Sequence, residues 1–189
     1  MKPWLALSRA VDAVTERVGR GLIWLILAAV IISGVNAILR KAFNIGSNAW
    51  LEVQWYLFAA VFMLGAGYAF LHNAHVRIDF VSGRLTPRAR NWIDIVGIVV
   101  FLVPLCAMLI QLGWPLFTYA WTTKEMSQNA GGLIRWPVLL LIPLGMTLLL
   151  VQAISELIKR IAFLRGLIPD QLAHAAPKEE TVDQLEAQS

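Results

Sequence analysis

The sequence predicts an all-α integral membrane protein with four transmembrane helices, an N-terminal amphipathic interfacial helix and both termini in the cytoplasm. The first observation is that four stretches contain no Asp, Glu, Lys or Arg, namely 21–39, 53–71, 95–123 and 136–155. Because an α-helix rises about 1.5 Å per residue, each stretch can cross a hydrocarbon core roughly 30 Å thick. The second is composition, since 58% of the 189 residues are apolar and only 15% are charged, which leaves no segment for a separate soluble domain.

The third observation is the distribution of positive charge, which sets the orientation. Twelve of the 16 Lys and Arg residues flank the spans on the side that holds both termini, and four lie on the other side. The positive-inside rule therefore predicts cytoplasmic termini. In the inner membrane of a bacterium, the two outward loops, 40–52 and roughly 115–135, would face the periplasm. Short basic segments beside spans favour lipid headgroups as partners over nucleic acid.

We divide the chain into an interfacial helix at 1–20, a four-helix unit at 21–160 and a largely disordered cytoplasmic tail at 161–189. The spans are expected at about 21–39, 53–71, 93–114 and 136–156. In the first segment, apolar residues recur at helical spacing on one face: Trp4, Leu7, Val11, Val14 and Val18. Polar residues fall opposite, among them Asp12 and Glu16. Such a helix can lie in the headgroup plane or pack on a partner subunit.

The spans carry little that indicates chemistry. No ionisable residue is expected at mid-bilayer, where ion-coupled carriers usually keep one. The deepest polar residues, Asn36, Gln111 and Gln152, are expected near span ends as interhelical hydrogen-bond partners. Haem ligation is not expected, because His72 and His75 come from one span end. Neither a catalytic constellation nor a phosphate loop is present in the sequence, so we expect no cofactor, no metal and no enzyme activity.

Small residues recur at every fourth position on two spans, which allows close helix approach. They are Ala29, Ser33 and Ala37 on the first span, and Gly65 and Ala69 on the second. Packing among the four spans and docking on a larger subunit both explain them, and both interpretations remain open.

The connecting segments carry the remaining candidate residues. Glu52 is expected in the first turn of its helix, where the helix dipole favours a carboxylate, with Ser47 or Asn48 as the cap. In the cytoplasmic hairpin, Arg77 and Asp79 are expected to fix the turn. Lipid phosphates are expected at Arg84, Arg88 and Arg90.

In the order of these motifs the chain resembles the small, four-helix DctQ-like membrane subunit of TRAP (tripartite ATP-independent periplasmic) transporters. The resemblance covers about 31–158 and rests on these residues: Arg40, Phe43-Asn44, Trp50, Glu52, Gly65-Ala66, His75 to Asp79, Gln152 and the outward loop with Glu125, Ser127, Asn129, Gly131, Gly132 and Leu133. One departure is that family members often show two adjacent acids, whereas Val53 follows Glu52 here.

The resemblance implies a small permease subunit that supports a large, about twelve-span, sodium-coupled membrane subunit. A periplasmic receptor would deliver an organic acid to that large subunit. It also implies that the stripe residues and Asn36, Arg40, Trp50 and Glu52 serve structure or subunit contact, and that the outward loop contacts a partner. Two alternatives remain: a membrane anchor of another multi-subunit inner-membrane complex, and a small autonomous exporter.

Overall fold

The protein, seen here in a computed structural model that describes residues 2–44, 46–73 and 85–169, is built of helices. In chain order these are α1 (Lys2–Phe43), α2 (Asn48–Leu71), α3 (Pro87–Gly97), a π-helical turn (Ile98–Leu102), α4 (Val103–Thr123) and α5 (Trp136–Leu164). Four helical stretches are long and apolar enough to cross a membrane: Pro3–Phe43, Asn48–Leu71, Pro87–Thr123 and Trp136–Leu164. The all-α fold with four long apolar helices is thus confirmed.

The first helix differs from the expectation of a separate helix at 1–20. α1 runs without a break for 42 residues, through Arg20 and Gly21. One face of α1 is buried at every seventh residue along its whole length, at Ser8, Thr15, Leu22, Ala29 and Asn36. A seven-residue repeat keeps one helix face against its neighbours. Both halves of α1 therefore pack on the same bundle, and this packing outweighs the roughly 1 kcal/mol that an isolated glycine costs a helix.

The third membrane segment is longer than predicted. The loop expected to start near Pro115 does not start there, because α4 continues through Pro115 to Thr123. A proline removes one N–H donor and crowds the carbonyl four residues back, and here the helix continues past it. The apolar run continues for two further turns, and the helix ends where Lys124 adopts a left-handed conformation with φ of 52°.

A π-helical turn precedes Pro104. The N–H of Val103 donates to the carbonyl of Ile98, five residues back, as in a π-helix. Pro104 has no N–H to donate to the carbonyl of Val100. The wider π-helical turn just before it gives the proline ring more room next to that carbonyl. In α5, Pro143 is buried inside a continuous helix.

Glycines set the closest helix contacts. A Cβ placed on Gly145 of α5 would lie 2.5 Å from the carbonyl oxygen of Met63 on α2. One placed on Gly67 of α2 would lie 3.6 Å from the carbonyl oxygen of Leu148. α1 approaches α2 at Gly65, where a Cβ would meet Leu22 at 3.2 Å. These contacts bring α1, α2 and α5 together as one packed group.

α4 lies on the outer side of α5 and packs mainly on it. Small residues at seven-residue spacing, Cys106, Gly113 and Ala120, are buried on its inner face. A Cβ on Gly113 would lie 3.1 Å from side-chain atoms of Ile142 and Pro143. The opposite face of α4 is exposed.

Replacing Gly145 by Ala should separate α2 from α5. The added methyl would meet the backbone of Met63 at 2.5 Å, which a side-chain rotation cannot relieve. We expect a loss of about 1–3 kcal/mol, measured as a lower thermal midpoint in detergent. Gly34→Ala is the control, because nothing lies within 4 Å of its added methyl and alanine favours the helix. Equal midpoints for both variants would contradict the packing described here.

Candidate functional site: polar clusters at the two ends of the bundle

The first polar cluster lies at one end of the bundle, where Glu52 of α2 receives three hydrogen bonds from the loop between α4 and α5. We call Glu52, Ser127, Asn129 and Leu133 the Glu52 clamp. The Oε1 atom of Glu52 accepts from the Ser127 hydroxyl and, at 2.8 Å, from Nδ2 of Asn129. Its Oε2 atom accepts from the backbone N–H of Leu133 at 2.6 Å. Glu52 is only 1% exposed, so these donors replace the water that would otherwise solvate the carboxylate.

The loop is folded so that its donors converge on that carboxylate. The Ser127 N–H donates to the Leu133 carbonyl at 2.8 Å, and Met126 pairs with Ile134 in an antiparallel bridge. Gly131 has a φ of 69°, a conformation that glycine adopts without strain. A Cβ on Gly132 would lie 2.8 Å from Oε1 of Glu52, so only glycine permits this approach.

Further bonds tie the loop to the start of α2. Nδ2 of Asn48 donates to the Ala130 carbonyl at 3.0 Å, and the Tyr56 hydroxyl donates to the Ile134 carbonyl at 3.1 Å. Within the loop, Arg135 forms an ion pair with Glu125. The α4–α5 loop is therefore fastened to α2, although α4 itself packs mainly on α5.

This geometry corrects the expected role of Glu52. The first turn of α2 contains no acidic residue, and Glu52 lies four residues after the helix begins at Asn48. Ser47 precedes the helix but makes no side-chain capping bond. The carboxylate is held by the donors of a distant loop instead of by the helix dipole. One feature of the sequence could have indicated this contact. One outward segment carries the acceptor Glu52, and the other carries the donors Ser127 and Asn129.

The second polar cluster lies at the opposite end of the bundle, between α1 and α5. We call Ser8, Asp12, Thr15, Gln152, Ser155, Glu156 and Lys159 the Asp12–Lys159 cluster. Nζ of Lys159 lies 3.0 Å from Oδ2 of Asp12 and also pairs with Glu156. Oδ1 of Asp12 accepts from Nε2 of Gln152 at 2.9 Å and from the Ser155 hydroxyl at 3.0 Å.

The hydroxyl groups of α1 complete the cluster. Thr15 donates to Oε1 of Gln152 at 2.7 Å, and the Ser8 and Ser155 hydroxyls lie 2.7 Å apart. Gln152 is fully buried, which confirms its expected role as an interhelical hydrogen-bond partner. Ser8, Thr15, Gln152, Ser155 and Lys159 each have a partner on the facing helix, and Glu156 pairs with Lys159 of its own helix.

Ion pairs connect this end to the neighbouring helices. NH1 of Arg160 lies 2.8 Å from Oδ2 of Asp94 on α3, and Glu16 of α1 contacts both Arg20, at 2.9 Å, and His72 at the end of α2, at 2.8 Å. At this end α1 is therefore linked to α5 and to the end of α2, and α5 is linked to α3 through Asp94.

Sequence reasoning missed the Asp12–Lys159 cluster. In the sequence, Lys159 and Arg160 count among the basic residues that flank the spans, and Asp12 and Glu16 fall opposite the apolar face of the first segment. Lys159 and Arg160 are buried instead, and both carboxylates face other helices. The signal was present, because Gln152, Ser155, Glu156 and Lys159 follow the helical spacing i, i+3, i+4, i+7.

The predicted small-residue stripes divide between inner and outer positions. Ala29 is fully buried, and the half-buried Ser33 donates its hydroxyl to the Ala29 carbonyl at 2.8 Å. Gly65 faces Leu22 inside the bundle, whereas Ala37 is exposed. Of the other candidates, Asn36 is buried, Ala69 is half-buried, and Arg40 and Trp50 are exposed. The residues His75, Arg77, Asp79 and Arg84 lie outside the described residues, while Arg88 is exposed and Arg90 is half-buried.

Aromatic rings surround the loop end of α4 and α5. The rings of Trp121 and Trp136 meet edge to face at 4.7 Å, and Phe117 bridges Trp114 and Trp136 at 5.7 and 6.4 Å. Tryptophan is enriched where a membrane helix passes from hydrocarbon to headgroups. The position of these rings beside the Glu52 clamp is typical of a membrane boundary.

Apolar helices of membrane length, with charged groups gathered at their two ends, define a multi-pass helical membrane protein. Residues 29–163 match the family described as "Tripartite ATP-independent periplasmic transporters, DctQ component". The chain therefore belongs to this family of transporter components.

The chain is also similar to a named protein. A Haemophilus influenzae protein, named "Putative TRAP transporter small permease protein", is 30% identical over 80 residues, or 42% of this chain and 49% of the relative. The alignment thus spans about half the length of that relative. No solved structure matches the chain.

Glu52→Gln should loosen the α4–α5 loop. An amide would direct its NH2 group at donors that now meet a carboxylate oxygen, leaving at least one of them unpaired and costing about 1–3 kcal/mol. We expect faster hydrogen exchange at residues 127–134 than in the original protein. Glu125→Gln is the matched control, since its pair with Arg135 is partly exposed and contributes at most about 1 kcal/mol. Unchanged exchange in Glu52→Gln would show that the clamp does not order the loop.

Lys159→Met should destabilise the packing of α1 on α5. It leaves Asp12 and Glu156 without their shared cation, which costs about 3–5 kcal/mol for a buried pair, measured as a lower thermal midpoint in detergent. In the Lys159→Met background, Asp12→Asn should cost much less than it does alone, because the ion pair is already lost. Lys41→Met, at an exposed position, is the control. Additive effects of the two substitutions would contradict a direct pair.

Proposed function

We propose that this chain is a fixed frame for the large, sodium-coupled membrane subunit of a TRAP transporter, and that the assembly takes up an organic acid delivered by a periplasmic receptor. The large subunit would move the substrate, and this chain would hold the stationary part of that subunit in the membrane. The organic acid, the sodium coupling and the two partners follow from the family resemblance.

The observation that carries the proposal is where the charged side chains lie and what they bind. Glu52 is held by loop donors at one end, and Asp12, Glu156 and Lys159 are paired with one another at the other end. Between the two ends, the stretches 53–71 and 136–155 contain no charged residue. A carrier that moves ions usually keeps an ionisable group near mid-bilayer. The charges described here stabilise helix packing, which is what a frame requires.

The helix contacts also favour a rigid part. Gly145 and Gly67 bring α2 and α5 into backbone contact, and the Glu52 clamp fastens the α4–α5 loop to α2. A moving carrier domain needs a stationary neighbour of this kind to move against. We propose the bacterial inner membrane as its location, with the Glu52 clamp facing the periplasm and the Asp12–Lys159 cluster facing the cytoplasm, since the basic residues favour that orientation.

The proposal is tested by reconstitution. We expect the tagged chain, purified in mild detergent from its native host, to bring with it a hydrophobic protein of about twelve predicted spans. Vesicles containing both proteins and the receptor should accumulate a labelled organic acid only when a sodium gradient is imposed. Vesicles containing this chain alone should accumulate none. Uptake by the chain alone, or purification without any large membrane partner, would overturn the proposal.

A further inference from the structure

α4 carries an exposed stripe of polar side chains, prolines and one methionine on the face that points away from α5. Its members recur at intervals of four and three residues and are all exposed: Pro104, Met108, Gln111, Pro115, Thr118 and Thr122. At 100° per residue they fall within roughly 80° of the helix circumference. Cys106, Gly113 and Ala120, which face α5, lie on the opposite side of α4.

Gln111 lies level with the middle of the charge-free stretch of α5, whereas the predicted span 93–114 places it near a span end. Gly113 packs beside Ile142 and Pro143, and the two helices run in opposite directions, so Gln111 is roughly level with Gly145. Gly145 lies at the middle of the charge-free stretch 136–155. α4 continues for nine residues beyond 114, to Thr123, so Gln111 does not lie near the end of its helix.

At this depth the stripe presents hydrogen-bonding groups that the described residues do not satisfy. The Gln111 side chain is exposed and makes no hydrogen bond within 2–44, 46–73 or 85–169. The usual helical bond to the Gln111 carbonyl is also missing, because its donor would be the N–H of residue 115, which is a proline. The hydroxyls of Thr118 and Thr122, by contrast, donate to carbonyls of their own helix at 2.9 Å.

Lipid tails cannot satisfy an amide or a carbonyl, and leaving such groups in hydrocarbon is costly. An occupant of this face must therefore supply both donors and acceptors at mid-bilayer. The flanking faces of α4 differ in character, since Leu105, Leu112 and Leu116 are exposed and purely apolar, as suits lipid contact.

We propose that the Gln111 face of α4 docks a transmembrane helix of the large TRAP membrane subunit, and that this helix carries a hydrogen-bonding side chain opposite Gln111. The inference rests on the proposed function, because it takes its partner from there. Beyond the proposed function, the inference identifies the surface of this chain that makes the contact and the kind of side chain that the partner helix must carry there. Close approach is possible because the rest of the stripe consists of prolines, threonines and one adaptable methionine.

The contact is tested by photocrosslinking in the intact complex. A benzophenone amino acid at Thr118 should crosslink to the large subunit, and Gln111 stays unchanged in this experiment. The same probe at Leu116 is the control, because it lies two residues away but about 160° around the helix. A crosslink from Leu116 and none from Thr118 would overturn the proposal, and so would a Thr118 crosslink to a second copy of this chain.

The hydrogen bond is tested separately with Gln111→Leu. We expect the apparent dissociation constant of the complex to rise about three- to thirty-fold, as for hydrogen bonds between membrane helices. The isolated chain should keep or raise its thermal midpoint, since an amide no longer faces lipid. Leu116→Ala, on the exposed apolar flank of α4, is the control and should leave the complex unaffected.

Two results separate this inference from the proposed function. If the original chain brings no large membrane protein with it, the proposed function fails and the inference fails with it. If the complex forms and transports but Gln111→Leu binds as tightly as the original chain, only the assignment of the Gln111 face is wrong.

Discussion

The structure depends on one constraint, which is that a polar group removed from water must find a partner within the protein. In hydrocarbon the alternative is an unsatisfied donor or acceptor, at a cost of several kcal/mol. This chain meets the constraint at its two ends, with a carboxylate surrounded by donors at Glu52 and a network of opposite charges around Lys159. The middle of the bundle can then rely on close contact between small residues. Gly145 against the Met63 backbone is one example.

Much of the fold could be predicted from the sequence because membrane thickness and helix rise leave few choices. Four charge-free stretches indicated four long helices, and the small residues Ala29 and Gly65 marked real packing contacts. The first and last residues of the helices were harder to predict. The sequence of α1 has no residue that stops a helix near 20, and α4 continues past Pro115, where the predicted outward loop was to begin.

The polar clusters could be predicted only in part, for a physical reason. A charged residue near a span end has two stable environments, water and an ion pair on a facing helix, and its own sequence position does not distinguish them. Lys159 and Asp12 are 147 residues apart, so the pair becomes apparent only when α1 and α5 are seen side by side. The same holds for Glu52, whose donors lie 75 or more residues further along the chain. The family resemblance pointed to the loop and to Glu52 without indicating that they bind each other.

The Glu52 clamp has a mechanical consequence. α4 packs mainly on α5, and that contact alone would allow α4 to rotate about α5. The loop after α4 is also bound to α2 through Glu52, Asn48 and Tyr56, which gives the α4–α5 pair a second point of attachment. With two points of attachment, rotation of α4 about α5 is restricted. A sideways push on α4 is thereby passed on to α2, and the outer helix stays stiff despite its sparse packing.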